Sequence, residues 1–234
     1  MFKKIFNLVV NKFCVVRDFF LKIYLKDNRL VPLSSTFGYG IGTPIDRYYI
    51  DAFLEKNKSY INGNLLEIGD DEYIKKYGGA GSNLLVLTFS KDKKNKKYFF
   101  GDLTDLKTLK KGKFDCFVCT QTLNFIYDFD SAVKGAHYLL KKNGVVLVTV
   151  SGISQISRYD YERWGDYWRF TPLSAKKLFS KYFGESNVIV DYYGNVDSAK
   201  CFLDGVPKEA LSSKQLDYKD PDYPMLITIV AVKK

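Results

Sequence analysis

A short apolar segment that runs into a glycine constrains the fold of this chain more than any other stretch. Gly63 precedes the segment Asn64-Leu65-Leu66-Glu67-Ile68, and Gly69 follows it directly. This pattern is typical of the first strand of an α/β domain and of the turn after it. Glycine lets the backbone approach a ligand at such a turn because it has no Cβ atom. Any strand that ends in a tight turn can show the same pattern, so only the rest of the chain can indicate whether this turn binds a nucleotide-type ligand.

Further apolar runs follow, and several of them alternate with helix-like segments. We predict strands at residues 83–89, 98–100, 114–119, 145–150, 188–193 and 225–232. We predict helices at residues 46–56, 71–77, 129–141 and 173–183. Continuously apolar strands that alternate with helices are typical of a parallel sheet covered on both faces. The 234 residues, 46% of them hydrophobic, suffice for one such domain.

A basic amphipathic pattern occupies the first part of the chain. Apolar side chains recur at spacings of three and four from Phe2 to Ile23, with lysines and an arginine between them. The pattern predicts an N-terminal helix over residues 1–28. Such a helix either makes a peripheral contact with an anionic membrane through residues 2–26 or packs on protein, and the sequence leaves both open. No apolar run is long enough to cross a bilayer as a helix.

Charge and cysteine content narrow the class of partner and the compartment. The formal net charge of +10 fits an anionic partner, and it fits equally a lysine-rich surface without one. Cys116 and Cys119 lie inside one apolar run, where the strand period points the two thiols to opposite faces. We therefore predict buried core thiols rather than a redox or zinc pair. With no signal peptide visible, we expect a reducing cytoplasm, with the inner membrane surface as a site of peripheral contact.

The order of these parts resembles that of the class I S-adenosylmethionine (SAM)-dependent methyltransferases over residues 44–232. Glu67-Ile68-Gly69 lies at the family's first motif, Gly101-Asp102-Leu103 follows the third strand, and 139–150 is similar to the family's segment leading into the fifth strand. The helix near residue 50 and the aromatic segment after the fifth strand look like a type 11-like subgroup associated with glycan biosynthesis. The resemblance implies an α/β, Rossmann-like class I methyltransferase fold over residues 29–234. Its sheet would have seven mostly parallel strands with an antiparallel last strand and helices on both faces.

The same resemblance implies SAM as the cofactor, held at the ends of the first four strands. The residues it implies are Glu67, Ile68, Gly69, Asp70, Asn83, Asp102, Leu103, Thr120 and Gln121. Asp102 would accept hydrogen bonds from the adenine amino group, and Glu67 would organise the first turn or meet an amine. Two features depart from the family pattern. Asp71 and Tyr73 replace glycines of the first motif, and Asn83 or residue 90 takes the place of an acidic residue.

The segment 151–171 after the fifth strand is predicted to be an aromatic insertion on the substrate side. Its candidate acceptor-binding residues are Arg158, Tyr159, Asp160, Trp164, Trp168 and Arg169. Aromatic faces stack on the C–H face of a sugar, and arginine and carboxylate bind hydroxyls or phosphate. The alternative is that this segment forms a cap subdomain, in which the aromatic side chains serve only to pack the interior. Asp160 and Asp166 are candidate general bases for an acceptor hydroxyl, and we prefer Asp166.

Three functions compete on these grounds. Methyl transfer from SAM depends mainly on the positioning of the acceptor against the methyl group, so it does not require a metal site. A chain with a single histidine is compatible with such a reaction. We predict an O-methyltransferase of a small-molecule or glycan acceptor that contains sugar. The altered first motif suggests, as an alternative, a weakly active or inactive binding or scaffold module in glycan assembly. A nucleic-acid methyltransferase has only the positive charge in its favour and ranks last.

Overall fold

A computed structural model describes residues 30–89 and 95–234 of the chain. Residues Leu33–Lys234 form one compact unit. The helix predicted for residues 1–28 lies outside the described residues. Within the described part of the chain, no helix is both long and apolar enough to cross a membrane.

The unit is built on a seven-stranded sheet with the order β3-β2-β1-β4-β5-β7-β6. The strands are β1 (Asn64–Ile68), β2 (Asn83–Thr88), β3 (Tyr98–Phe100), β4 (Phe114–Thr120), β5 (Leu140–Ser151), β6 (Val188–Tyr193) and β7 (Leu226–Val232). Only β7 runs antiparallel to its neighbours in this described sheet. The predicted sheet is therefore confirmed, including its antiparallel last strand.

Helices cover both faces of the sheet. They are α1 (Ile45–Lys56), α2 (Glu72–Tyr77), α3 (Phe129–Leu139), α4 (Arg158–Tyr161), α5 (Pro172–Phe183), α6 (Val196–Asp204) and α7 (Ser213–Asp217). Two hydrophobic cores result, and α3 and α5 contribute to one while α1 and α6 contribute to the other. Cys119 belongs to the first core and Cys116 to the second, so the two buried thiols do point to opposite faces as predicted.

The structure places the boundary between α3 and β5 earlier than predicted. Helix α3 ends at Leu139 rather than at residue 141, and β5 begins at Leu140 rather than at residue 145. Phe114 pairs with Leu140, and the register of β4 against β5 then shifts before Cys116. Asn143 adopts a left-handed φ of 63° and donates its backbone N–H to the Lys233 carbonyl. Partners distant in sequence therefore hold this segment extended, and a local pattern cannot reveal them.

Because β1, β4 and β5 are parallel, their carboxyl ends at Ile68, Thr120 and Ser151 meet at one edge of the sheet. The chain leaves the sheet there through three different connections. In open α/β sheets, ligands bind outside this edge.

Candidate functional site

A cleft of about 950 Å³ lies at this carboxyl edge. Its floor is formed by the ends of β1, β4 and β5. One wall comes from residues 35–47, and the opposite wall comes from the insertion after β5. The side-chain amide of Gln155 donates to the Ser35 carbonyl at 2.9 Å, which links these two walls.

The turn after β1 is closed by a carboxyl group from β1 itself. Glu67 is only 2% exposed, and its two oxygens accept the backbone N–H groups of Ile74 at 2.9 Å and Tyr73 at 3.4 Å. Burial raises the pKa of Glu67 to about 8, against the opposing effect of these hydrogen bonds. The amide groups at the start of α2 are therefore already engaged by a carboxyl group of the chain itself.

Gly69 keeps the conformation that this turn requires. Its φ is +89°, and a Cβ placed on it would have no protein atom within 4 Å. Asp71, in contrast, has a φ of −128° and binds Lys75 at 3.0 Å and Lys97 at 2.9 Å. Since residue 71 needs no left-handed backbone, the missing glycine there does not damage the turn.

Four residues predicted for the cofactor are not part of the cleft lining: Gly69, whose neighbours Ile68 and Asp70 do line it, and Asp102, Leu103 and Asn83. Asp102 is half-buried after β3, where its Oδ1 accepts the N–H and the hydroxyl of Thr104, each at 2.8 Å. Leu103 is 3% exposed and belongs to the hydrophobic core, so a direct cofactor contact by its side chain is not supported. Asn83 begins β2 at the opposite edge of the sheet and bonds Asn64. The prediction for Asn83 was wrong because the carboxyl end of β2 is Thr88.

A buried polar network holds Gln121 at the end of β4. Gln121 adopts a left-handed φ of 46°, and its backbone N–H donates to the Thr149 carbonyl at 2.9 Å. Its Oε1 accepts hydrogen bonds from Asn124 Nδ2 at 3.0 Å and from Ser151 Oγ at 2.9 Å. The side-chain nitrogen of Gln121 has no partner among the described residues, and Gln121 lines the cleft beside Thr120. Sequence reasoning missed Asn124 and Ser151, because only the fold brings them together.

The preferred general base proves to be a structural residue. The Asp166 side chain is 1% exposed and forms a bidentate pair with Arg169, at 2.6 Å and 3.0 Å. Asp166 Oδ2 also accepts the Ser157 backbone N–H at 3.0 Å. Arg169 further donates to the carbonyls of Ser154 and Gln155. The pair holds the insertion together and occupies both Asp166 oxygens, so we correct the prediction of Asp166 as a base. Arg169 is partly exposed and lines the cleft, so its role as an acceptor ligand stays a prediction.

The remaining predicted acceptor residues divide into two groups. Arg158, Tyr159 and Asp160 line the cleft. Trp164 packs edge-on against Phe89, and Trp168 packs on Phe129 and donates its indole N–H to the Tyr127 carbonyl. Neither tryptophan lines the cleft, so the predicted acceptor role is not supported for them.

The first turn of α1 is a part of the cleft that sequence reasoning did not assign. Asp46 and Arg47 both line it. Arg47 donates from Nε to Tyr39 Oη at 2.7 Å and from Nη1 to Tyr73 Oη at 3.1 Å. Tyr73, at one of the replaced glycine positions, therefore joins the first turn to α1. In the described part of the chain, no cluster of His, Cys, Asp or Glu could hold a metal ion.

Comparisons with known proteins agree with this architecture. A family model described as a methyltransferase domain matches residues 80–148, which begin after the first turn and end within β5. No curated protein matches the sequence.

Two solved structures share the fold. One is a SAM-dependent methyltransferase from Archaeoglobus fulgidus, with 14% identity, a TM-score of 0.52, and coverage of 80% of this chain and 94% of that chain. The other is a SAM-dependent methyltransferase, possible histamine N-methyltransferase, from Thermotoga maritima, with 18% identity, a TM-score of 0.54, and coverage of 81% and 92%. At these identities the likeness concerns the fold alone.

Proposed function

We propose that this chain is a SAM-dependent methyltransferase that methylates a hydroxyl group of a sugar-containing acceptor. The matched methyltransferase domain and the shared fold support the first part of this proposal. The observation that carries the proposal is the cleft at the carboxyl edge, which joins the Gly69 turn to walls of neutral and charged hydrogen-bonding side chains. The insertion after β5 closes the acceptor side of that cleft.

The residues of the first turn fit the cofactor. The space beside Gly69 is open in a position where a Cβ would otherwise project, so the backbone can be approached closely. Glu67 fixes the path of this turn. Asp102 lies two residues beyond β3 and outside the cleft lining, and its Oδ2 has no hydrogen-bond partner among the described residues. SAM supplies an activated methyl group, so the protein has to position an acceptor rather than form a covalent intermediate.

The composition of the cleft favours an acceptor with many hydroxyl groups. Its neutral hydrogen-bonding side chains include Thr36, Thr43, Thr120, Gln121, Ser154 and Gln155, and charged side chains such as Arg158 and Asp160 stand among them. Tyr159, at 66% exposure, adds an aromatic surface, and the Arg163 guanidinium lies 3.6 Å from the centre of its ring. Hydroxyl and amide groups pair with sugar hydroxyls, and an aromatic ring packs on the apolar face of a sugar.

Two residues in the cleft have the chemistry to handle an acceptor hydroxyl. The Asn124 and Ser151 hydrogen bonds fix the Gln121 oxygen, so the amide N–H groups of Gln121 are the ones available to an acceptor oxygen. Asp160 accepts the Ser157 hydroxyl on Oδ2 at 2.6 Å, while Oδ1 has no hydrogen bond among the described residues. We propose Asp160, in place of Asp166, as the base that receives the hydroxyl proton.

A two-step experiment tests this function. Calorimetry first measures binding of S-adenosylhomocysteine (SAH) to the full chain. SAM with a labelled methyl group is then offered with pools of nucleotide sugars and oligosaccharides, RNA and DNA, or protein. We expect label in the saccharide pool as an alkali-stable ether. The Asp160→Asn variant should lose about 100-fold in turnover while it binds SAH normally.

Different failures would refute different parts of the proposal. Absence of SAH binding by the folded chain would overturn the cofactor assignment. Label in nucleic acid or protein, with saccharides unlabelled, would overturn the acceptor class. Full turnover by Asp160→Asn would remove Asp160 as the base.

A further inference from the structure

Asp46 is a buried carboxylate with an oxygen that the protein leaves unpaired. It occupies the first turn of α1, is 8% exposed and lines the cleft. Its Oδ1 is fully buried without a hydrogen-bond partner in the described structure. Leaving a buried polar atom unpaired costs free energy, so native proteins seldom do it without a ligand, a water molecule or an ion to compensate.

Arg47 stands next to Asp46 with part of its guanidinium unused. Tyr39 and Tyr73 accept hydrogen bonds from Nε and Nη1, which holds the guanidinium plane in place. No hydrogen bond within the described structure occupies Nη2, and no ion pair joins Arg47 to Asp46. The cleft therefore contains a carboxyl group and a guanidinium group side by side that share no direct hydrogen bond. Burial raises the pKa of Asp46, and the neighbouring charge of Arg47 opposes this.

The usual anion site of such a fold is not available in this chain. A helix N-terminus after the first strand ordinarily offers free backbone N–H groups to a negative group. Here Glu67 already occupies the N–H groups of Tyr73 and Ile74 at the start of α2. A carboxylate that enters this end of the cleft needs another cationic partner, and Arg47 is bonded to Tyr73 on that same helix.

We propose that Asp46 and Arg47 bind the α-amino-acid end of the cofactor, with Asp46 receiving the ammonium group and Arg47 the carboxylate. This inference rests on the proposed function. A group that carries both charges on one carbon atom matches an adjacent carboxylate and guanidinium through charge-assisted hydrogen bonds. A simple anion would fit this pair less well because Asp46 would repel it, and a simple cation would be repelled by Arg47.

The contributions of Asp46 and Arg47 can be distinguished by measuring, with calorimetry on the full chain, the affinities of three adenosine ligands. SAH carries both charged groups, decarboxylated SAH keeps only the amine, and 5′-methylthioadenosine has neither. Asp46→Asn should weaken SAH and decarboxylated SAH by about tenfold or more. Arg47→Met should weaken only SAH to that extent. Both variants should bind 5′-methylthioadenosine within twofold of the unmodified chain.

Glu55→Gln and Lys56→Met are matched controls, since they remove the same charges from exposed positions of α1. They should leave the affinity for all three ligands unchanged. The inference would be overturned if the Asp46 and Arg47 variants lost affinity equally for SAH and 5′-methylthioadenosine, or lost none for SAH. In either case, SAH binding by the unmodified chain would still support the proposed function. If the unmodified chain bound none of the three ligands, the proposed function itself would fail. Each variant is compared across ligands, so a general loss of folded protein would not imitate the expected pattern.

Discussion

The ionisation of Glu67 should make the folded state less stable as pH rises. Its ordinary pKa is 4.5, and burial raises the pKa to about 8 in the folded chain. Between these values the unfolded chain has lost the proton while the folded chain retains it. Stability contributed by the neutral group is thus complete below pH 4.5 and is lost progressively until pH 8. The difference of about 3.5 units corresponds to about 5 kcal/mol, at about 1.4 kcal/mol per unit.

Glu67→Gln removes this ionisation and keeps an oxygen that can accept the Ile74 N–H. At pH 5 the variant and the unmodified chain should have similar free energies of unfolding. At pH 9 the variant should be more stable by about 5 kcal/mol. Urea unfolding followed by circular dichroism at pH 5, 7 and 9 measures the difference.

Glu72→Gln is the control, since Glu72 is an exposed carboxylate in the first turn of the same helix. It should follow the pH dependence of the unmodified chain. A Glu67→Gln variant whose stability stays at a constant offset from the unmodified chain at every pH would refute the argument.

Three further predictions concern the turn, the insertion and the N-terminal segment. Gly69→Ala should cost about 1–2 kcal/mol in thermal unfolding because its φ of +89° is left-handed, and should also weaken SAH binding; unchanged stability would contradict the conformational argument. Asp166→Asn should lower the free energy of unfolding by about 3 kcal/mol, because it breaks a buried pair with Arg169, whereas a catalytic base would lose turnover at unchanged stability. Replacing the lysines of residues 2–26 by glutamine should abolish flotation of the full chain with anionic liposomes and should not change its flotation with neutral liposomes. Equal flotation of the two chains with anionic liposomes would exclude the membrane contact.

The sheet was predictable because its signal is local. Apolar runs such as 114–119 identify strands by themselves, and the period of two is enough to place Cys116 and Cys119 on opposite faces. The start of β5 was not predictable, since Leu140 is extended by its pairing with Phe114 across the sheet.

The site was harder to predict because its residues depend on contacts between distant segments. Asp46 looks in sequence like an ordinary acidic residue of a first helical turn, and only the fold buries it in the cleft. Asp166 looks like a free carboxylate beside Gly165, and only the path of the insertion brings Arg169 onto both oxygens. Asn83 was misassigned because that choice required the second strand to end early, whereas the strand begins at Asn83 and continues to Thr88.

The position of β7 has a consequence for how the chain is made. β7 is the last strand in sequence, yet it lies between β5 and β6 rather than at an edge. During synthesis, the five strands β1–β5 can pair before β7 leaves the ribosome, but β6 has no neighbour until then. The hydrogen-bonding edge of β5 stays unpaired for that interval, when nascent chains are prone to aggregate. A variant that lacks Leu226–Val232 would keep this state permanently, whereas loss of the edge strand β3 would leave the other six strands in contact.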